Sequence, residues 1–566
     1  MKRTSHLVGK AFRSYLGASI MTVAAAQIAS IVDASIVGNL LGSGALAAVN
    51  ICKPVLQAVF SISVLLAAGG TMLTGMAIGK GERTKADSAF SLTLFLTVSA
   101  AVVLTITGNL LFKPLLNTLC SSESIAPMAG LYLRIMVLSI LPMMLMTVLD
   151  SFVTVDGDPH LATRAIVVSN AVNLCLDVVF IRFFGMGITG AGLATCIMYI
   201  VCVVMVLPHF RKSGKLKLTS KVERGQAAPL LTLGLPLFLS SILVAVQFAC
   251  SNNIAAAAFG DSGLVAYAVC MQLLVFSTVF INGTYRTIQP VGSLLKGMGD
   301  YRGIRMLTAR AYRFLGICLL LYFAVILIFP RALSALFGVT SESDMAAVTY
   351  ALPSFSIYIV LMALLGDLVP IYQISGHKYI ATLLSVAQAL LPLIGFSAAA
   401  SLATAHPAIN PWSGFAAGEL AAALLLVIVT FAIRLKDRHL SPLLLIPEEM
   451  PYTSLDLSVA AIPEEIEELS RTIVSFLEEK KCNSAKSRMV AECSTHLATA
   501  LSEKGHARHI DYKLVLRDSS IDFSVHSDGE LFNPLEDEEL SASLPSGARY
   551  DRLFSQNILT INSISL

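Results

Sequence analysis

Charged residues are scarce in this chain: Asp, Glu, Lys and Arg make up 14% of its 566 residues, whereas 55% are hydrophobic. The mean hydropathy is +0.74. A chain of this size with so few charges has too little polar surface to cover a soluble globule, so most of it must face lipid. The net charge is only +3, and no basic patch interleaved with aromatic residues accompanies it. Nucleic acid is therefore not expected as a partner.

Paired cysteines are also missing. The ten cysteines are scattered, mostly within apolar runs that include Cys175, Cys196 and Cys270. They lack the paired spacing of a zinc site. We therefore expect these cysteines to pack among apolar side chains, and the sequence predicts no resident cofactor.

Long apolar runs are what the sequence has in abundance. Each run can cross a hydrocarbon core of about 30 Å, which takes roughly 20 helical residues. The first run follows Lys2, Arg3, Lys10 and Arg13 in the manner of a signal peptide, but it is too long and further runs follow. The sequence predicts an all-α polytopic membrane protein with twelve spans, at residues 12–38, 45–76, 88–112, 127–152, 160–182, 187–208, 228–255, 263–295, 312–330, 347–374, 378–400 and 412–434.

The basic residues between these spans are unevenly distributed. They cluster in alternate loops, chiefly at 80–85, 211–224, 296–310 and 434–438, while the opposite loops hold little beyond Lys113, Arg182 and Arg331. Because loops rich in Lys and Arg stay in the cytoplasm, both termini are expected there. The predicted location is the plasma membrane of a bacterial-type cell.

The two halves of the apolar region resemble each other. Ser43-Gly44 recurs as Ser262-Gly263, and Gly157 recurs as Gly376 at the same separation of 219 residues. These matches favour a duplication with six spans in each half, which makes the repeats parallel. The predicted organisation is an N-lobe at 1–219, a C-lobe at 220–440, a linker at 441–454 and a separate domain at 455–566.

Two acidic residues inside the spans suggest a cation site. Asp33 and Asp177 each lie about five residues before the outer end of a span, roughly 8 Å below the surface. Asn173 precedes Asp177 by one helical turn, and Thr195 lies at a comparable depth on the next span. These oxygen-bearing side chains could hold Na⁺ with Asp33 and Asp177 as ligands, or the two acids could share a proton. The residues alone leave both ions open.

A purely structural interpretation of these acids is the alternative. Asp33 could pair with Lys53 on the second span, while Asp177 could cap backbone near a helix end. The duplication places Asn252, Pro392, Phe396 and Gly414 at the positions equivalent to Asp33, Asn173, Asp177 and Thr195. The second half therefore lacks these acids.

Other polar groups occur within the spans of the second half. Arg286 and Gln289 lie on the eighth span beside Tyr285, Asp367 lies on the tenth and Glu419 on the twelfth. Arg286 and Asp367 are both near the cytoplasmic end, so an ion pair between them is expected. A gate or a substrate contact formed by Arg286, Asp367 and Gln289 is the functional alternative to simple packing.

At these residues the sequence resembles the multidrug and toxic compound extrusion (MATE) family over roughly residues 5–440. The motifs are Ile31-Val32-Asp33-x-x-x-Val37-Gly38, Asp156-Gly157-Asp158-Pro159, Asn170-x-x-Asn173-x-x-x-Asp177 and Gly187-x-x-Gly190-Ala191-Gly192-x-Ala194-Thr195. The resemblance implies two six-helix lobes that open to alternate sides and export organic cations in exchange for Na⁺ or H⁺. It also implies that Asp33, Asn173, Asp177 and Thr195 form the cation site of the N-lobe. Some members use a glutamate on the seventh span, where this chain has Gln247 and no acid.

The sequence changes character after Arg438. Pro442, Pro447 and Pro451 mark a linker, and acidic amphipathic sequence follows. The patterns predict a strand at 455–460, helices at 464–477 and 485–502, and a hairpin at 509–516 and 521–525. A small α+β domain is therefore expected at the cytoplasmic end of the chain.

This tail resembles the histidine-kinase-like ATPases, especially the anti-sigma-factor serine kinases. The resemblance rests on Asp528-Gly529-Glu530-Leu531-Phe532-Asn533-Pro534, and it implies nucleotide contacts by Glu492, Asp528 and Gly529. His496 stands where a Mg²⁺-binding asparagine is found in that family, and the glycine-rich lid is missing before residue 557. We therefore expect a module that regulates or docks a cytoplasmic protein, not a catalyst.

The expected function is an ion-coupled antiporter, not an enzyme, with an organic cation as substrate and membrane lipid around it. One alternative is a flippase for lipid-linked precursors, whose anionic cargo would require several basic residues; only Arg286 and Lys53 are candidates. The other alternative is a membrane sensor that acts through its ATPase-like tail.

Overall fold

A computed structural model describes residues 6–119, 125–212, 215–337, 339, 341–406, 408–447, 453–516, 520–545, 548–553 and 556–565. Lys2, Arg3 and Pro451 lie outside the described residues, as does most of the predicted linker after Pro447. The chain divides into two compact units. One comprises Tyr15–Ile304 with Thr308–Ile446, and the other comprises Pro447–Leu566 with the N-terminal segment and Arg305–Leu307.

The first lobe of the larger unit is entirely helical. Its helices are α1 (His6–Leu41), α2 (Ser43–Gly79), α3 (Arg83–Leu110), α4 (Phe112–Leu119), α5 (Ala126–Leu138), α6 (Ile140–Val155), α7 (Pro159–Val178) and α8 (Ile188–Lys212). A π-helical turn, Val179–Phe183, follows α7 directly. Pro159 in the first turn of α7 has no N–H to satisfy, and the Asp158 side chain caps the helix by accepting from Leu161 N.

The second lobe follows the same plan. A short 3₁₀ turn, Arg224–Gln226, leads into α9 (Ala227–Gly297), α10 (Tyr301–Ile328), α11 (Pro330–Leu336), α12 (Glu342–Gly366), α13 (Leu368–Ser375), α14 (Lys378–Ala405) and α15 (Ser413–Lys436).

These helices provide the twelve predicted spans. Among the described residues, ten helices are individually long and apolar enough to cross a bilayer, and the bent pair α5 and α6, at 51°, gives an eleventh. Helix α9 has 71 residues, which would extend about 105 Å, so it must contain two spans. It breaks at Gly260, whose φ of 62° and ψ of −151° are not helical.

Glycines with positive φ recur at equivalent positions of the two halves. L-residues with a side chain rarely adopt this conformation, so it marks positions where the backbone turns in a specific way. The pairs at equivalent positions are Gly42 (86°) with Gly260 (62°), Gly81 (71°) with Gly299 (66°), and Gly157 (110°) with Gly376 (95°).

Helices α2 and α9 meet along the axis that relates the two lobes. Three residues of α2, each one helical turn from the next, lie against their own equivalents 218 positions later. The pairs are Thr71 with Gln289, which are hydrogen-bonded at 2.9 Å, Gly75 with Ser293, and Gly79 with Gly297. A residue can contact its own equivalent only close to a two-fold axis. The axis therefore runs along the length of α2, as a parallel repeat requires.

The smaller unit contains one antiparallel sheet covered by helices. Its elements are β1 (Thr453–Ala460), α16 (Pro463–Glu479), α17 (Ser484–Glu503), β2 (His509–Leu516), β3 (Ser520–Ser527), α18 (Glu538–Ser543), β4 (Arg549–Leu553) and β5 (Gln556–Ser565), and the strand order is β1-β2-β3-β5-β4. Leu457 on β1 faces Tyr512 on β2, which faces Val525 on β3. The buried Tyr512 hydroxyl donates to Ser494 O of α17 at 3.0 Å and so fixes that helix to the sheet.

The first three strands and the first two helices of this unit match the prediction. Helix α16 buries Ile466, Leu469, Ile473 and Leu477, which follow the helical period. The sequence analysis did not predict α18, β4 or β5.

The close approach at Gly297 generates a test of the lobe contact. A Cβ atom on Gly297 would lie 2.7 Å from Gly79 Cα, closer than real Cβ contacts, and would also meet Met76 O. We expect Gly297→Ala to destabilise the protein by about 1–3 kcal/mol, visible as a lower thermal unfolding temperature in detergent. The matched control is Gly316→Ala on α10, where nothing lies within 4 Å. There alanine should be neutral or stabilise by about 0.5–1 kcal/mol. Equal effects of the two substitutions would contradict the packing described.

Candidate cation site and central cavity

Asp33 on α1 and Asp177 on α7 face each other inside the first lobe. Their carboxyl groups are close enough to interact electrostatically. Asn173 Nδ2 donates to Asp177 Oδ2 at 3.1 Å, which uses the one-turn spacing on α7. Asp177 is fully buried, and its Oδ1 accepts no hydrogen bond from an N–H or hydroxyl of the described residues. The structure thus brings together three of the four residues predicted for this site.

The backbone next to Asp177 is irregular. The π-helical turn Val179–Phe183 begins two residues after it. Single π-turns are rare in proteins and often occur at functional sites, because they redirect side chains at a helix end. The sequence analysis did not predict this turn.

Two facing carboxylates in a buried environment repel each other unless something positive lies between them. A proton shared by the two groups removes one charge, whereas a cation such as Na⁺ accepts oxygen ligands from both. The residues present are hard oxygen donors, so they fit either ion.

Thr195 is not engaged with the acids. Its hydroxyl donates to Ala191 O, one turn back on α8, at 3.0 Å. Two tyrosines instead lie within electrostatic range of Asp33: Tyr132 on α5 and Tyr199 on α8. Tyr199 follows Thr195 by one helical turn, so the same helix face could have indicated it. Nothing in the sequence pointed to Tyr132.

The purely structural interpretation of the two acids, an Asp33–Lys53 pair and backbone capping by Asp177, does not agree with the contacts observed. Lys53 is exposed and acts on Asp33 through charge alone, with no direct ion pair between these two described side chains. Asp177 accepts from the side chain of Asn173 rather than capping backbone.

The equivalent region of the second lobe is aromatic. Phe396, which corresponds to Asp177, stacks on Phe415 with ring centroids 4.3 Å apart and on Trp412 at 5.3 Å. Gln247 of the seventh span donates to the Tyr358 hydroxyl at 3.2 Å. Ring stacking therefore fills the place where the first lobe has its paired acids.

A cavity of about 610 Å³ lies between the lobes, within the range of about 300–1,000 Å³ typical of small-molecule sites. Helices α1, α2, α6, α7 and α9 line it with apolar and uncharged polar side chains. Gln289 is one of them, and it donates to Ala68 O (3.2 Å) and to the Thr71 hydroxyl. Among the described lining residues, only Asp150 and Arg286 carry charge.

The expected ion pair between Arg286 and Asp367 is wrong. Arg286 Nη2 donates instead to Oδ2 of Asp150 on α6, at 2.5 Å. Asp367 is fully buried at the break between α12 and α13, beside the Thr284 hydroxyl, which donates to Phe280 and Ile281 carbonyl oxygens. Neither carboxylate oxygen of Asp367 accepts a hydrogen bond from the described part of the chain. The sequence analysis missed Asp150, although an acid within a span was the signal that identified the others.

Comparison with known proteins finds a family model that matches part of the chain. The MatE family model matches residues 18–179. The chain is 24% identical over 287 residues to "Probable multidrug resistance protein YoeA" of Bacillus subtilis, covering 48% of this chain and 61% of that protein. It is 25% identical over 280 residues to "Multidrug export protein MepA" of Staphylococcus saprophyticus, covering 47% and 59% respectively. The chain thus spans about 60% of the length of these curated relatives.

A solved structure of a MATE protein in complex with MaL6 superposes with a TM-score of 0.69 at 20% identity, covering 75% of this chain and 97% of that one. The chain is therefore similar to the MATE family over residues 18–179. It has the MATE fold, and its long apolar helices are those of a multi-pass membrane protein.

In the tail, the Asp528 side chain accepts hydrogen bonds from backbone amides. Its Oδ1 accepts from Arg508 N at 2.8 Å and from His509 N at 2.9 Å, and its Oδ2 lies 3.3 Å from His509 Nδ1. Burial alone would raise the pKa of Asp528, but these hydrogen bonds outweigh it and lower the pKa below its usual value. A Cβ atom on Gly529 would collide with Gly505 O. Asp528 and Gly529 therefore serve the fold of the tail.

Glu492 lies apart from this arrangement. It is exposed on α17 together with His496, one turn further on. The pocket beside them has a volume of about 130 Å³, below the range of small-molecule sites, and its lining includes Met489, Cys493 and Leu544. No described hydrogen bond or ion pair joins Glu492 to Asp528.

We expect Asp528→Asn to loosen the tail. At neutral pH an amide accepts the two backbone hydrogen bonds more weakly than a carboxylate, with a loss of about 1–3 kcal/mol. In the wild type, the lowered pKa means that the stabilisation is present above the unfolded pKa of about 3.9 and is lost as pH falls through the lower folded pKa. Hydrogen exchange of β2 and β3 amides in the full-length protein measures both effects. Glu492→Gln is the control, and equal exchange in the two variants would refute the structural role of Asp528.

Proposed function

We propose that this protein is a MATE transporter that exports organic cations in exchange for Na⁺ or H⁺ by alternating access. The observation that carries the proposal is the pair of facing carboxyl groups of Asp33 and Asp177, with Asn173 donating to one of them. Burying two carboxylates within a membrane is unfavourable unless a proton or a cation compensates their charge. A site that is stable only with a bound proton or cation can couple ion binding to a change of conformation.

The central cavity supports an organic cation as substrate. Its volume and its mixed apolar and polar walls suit a drug-sized molecule. The relatives named above are described as multidrug resistance and export proteins. A cavity with one compensated ion pair places few demands on substrate shape, which fits a broad substrate range.

In the proposed cycle, both termini lie in the cytoplasm, at the end of the bundle that carries the basic loops. The glycine contacts of Gly75 and Gly79 with α9 close the lobes together at that end. The acids of the first lobe lie toward the opposite end, where they can take up an ion from outside. Occupation of the pair by the ion favours rearrangement of α1 and α7, and the lobes then reopen on the cytoplasmic side.

The flippase alternative has less support. An anionic lipid-linked cargo requires several basic side chains, but Arg286 is the only described basic residue that lines the cavity, and Asp150 already compensates its charge. Lys53 does not line the cavity.

For the tail we propose a docking or regulatory role. Asp528 is engaged with its own backbone and the pocket near Glu492 is small, which favours a protein contact over nucleotide chemistry. Loss of a co-purifying cytoplasmic protein when residues 453–566 are deleted is the expected result.

Transport by proteoliposomes tests the main proposal. Imposed Na⁺ or H⁺ gradients should drive ethidium movement by the wild type, and the gradient that works identifies the coupling ion. We expect Asp33→Asn and Asp177→Asn each to reduce gradient-driven transport by about tenfold or more, because an amide neither holds a proton nor contributes a charge to cation binding.

Asp261→Asn is the matched control, since Asp261 is an exposed acid beside Gly260. It should transport as the wild type does. Undiminished transport by both site variants would remove the proposed coupling site, and absence of ethidium transport by the wild type would refute cation export.

A further inference from the structure

The ion pair between Asp150 and Arg286 connects the two lobes across the central cavity. Asp150 belongs to α6 of the first lobe, and Arg286 belongs to the second span within α9 of the second lobe. The Asp150 side chain is 4% exposed and the Arg286 side chain 34% exposed. Arg286 therefore reaches through the cavity to cover a carboxylate that is buried in the opposite wall.

Arg286 is the partner on which Asp150 depends. Its Nη2 donates to Oδ2 of Asp150, while Oδ1 of Asp150 is buried and accepts no hydrogen bond from the described residues. Removing the guanidinium would leave a buried carboxylate with no compensating charge, which is strongly unfavourable. The carboxylate then requires another cation or a proton.

In the proposed cycle, movement of the lobes would separate these two residues. The lobes pack closely where α2 meets α9 near Gly79 and Gly297, and the pair lies in the same half of the bundle, since Gln289 and Thr71 are its neighbours in the cavity wall. When the lobes part at this end, α6 moves with the first lobe and α9 with the second. Asp150 then faces the opened cavity without Arg286.

We propose that Asp150 is the counterion for the substrate cation in that opened state, and that Arg286 displaces the substrate when the lobes close again. This inference rests on the proposed function, because it requires a cationic substrate. Substrate and guanidinium compete for one carboxylate. Closure at this end therefore expels the cation toward the other side and leaves the pair as the structure shows it.

If substrate and Arg286 compete for Asp150, substitution of Arg286 and substitution of Asp150 should change the affinity for ethidium in opposite directions. Arg286→Gln removes the competitor, so ethidium should bind the full-length purified protein at least about tenfold more tightly, as expected when the binding-competent state is otherwise a minor one. The same variant should transport more slowly, because nothing expels the bound cation. Asp150→Asn should bind ethidium at least about tenfold more weakly.

Two further variants control for the charge of Arg286 and for the stability of the protein. Arg286→Lys retains the competing charge and should bind ethidium much as the wild type does. The double variant Asp150→Asn with Arg286→Gln leaves no unpaired charge in the cavity wall, so it should fold, and it should bind as weakly as Asp150→Asn alone. Fluorescence titration measures affinity, and proteoliposome efflux measures turnover.

The outcomes separate the two proposals. If the wild type exports ethidium but Arg286→Gln binds it no more tightly, the competition is overturned while cation export stands. If Asp150→Asn binds ethidium with wild-type affinity, Asp150 is not the counterion. If the wild type neither binds nor exports ethidium, the proposed function fails and the inference fails with it.

Discussion

A charged side chain within a membrane-spanning helix is costly unless a partner or a bound proton compensates its charge, because lipid offers it neither water nor counterions. The arrangement of the larger unit follows from this constraint. Asp33 and Asp177 face each other with Asn173 beside them, Asp150 holds Arg286, and Glu419 accepts from Gln388 Nε2 at 2.7 Å. Each contact ties two helices or two turns together. The polar residues thereby fix which helices are neighbours, while apolar packing sets how closely they approach.

The two lobes share a backbone but differ in chemistry. Glycines with positive φ recur at three equivalent places, so the turns between helices have been retained. At the position of Asp177, however, the second lobe has Phe396 within a cluster of stacked rings. At this level the first lobe presents paired acids, whereas the second lobe presents stacked aromatic rings. The two lobes therefore differ most where the paired acids of the first lobe lie.

Much of this could be predicted from the sequence. Hydropathy gave the twelve spans, and the one-turn spacing with a comparison of depths grouped Asp33, Asn173 and Asp177. Depth does not reveal which way a side chain points around its helix. Thr195 is deep enough to join the acids, but its hydroxyl donates to Ala191 O. Arg286 was expected to pair with Asp367, but the packing of the helices brings it to Asp150 instead. In the tail, the motif at Asp528 is present, but its contacts with Arg508 and His509 depend on a strand pairing that no short motif encodes.

The contacts between residues of α2 and their own repeat equivalents on α9 constrain how the two halves could have evolved. Where an ancestral half met a copy of itself, identical residues would have faced each other. Gly79 with Gly297 preserves that state, but Thr71 now faces Gln289 and Gly75 now faces Ser293. A glutamine at both positions of the first pair would crowd the axis, and a glycine in place of Ser293 would leave the space of that side chain opposite Gly75 empty. The contact surfaces of the two halves are now complementary to each other. A protein assembled from two copies of either half would therefore pack poorly where α2 meets its repeat equivalent.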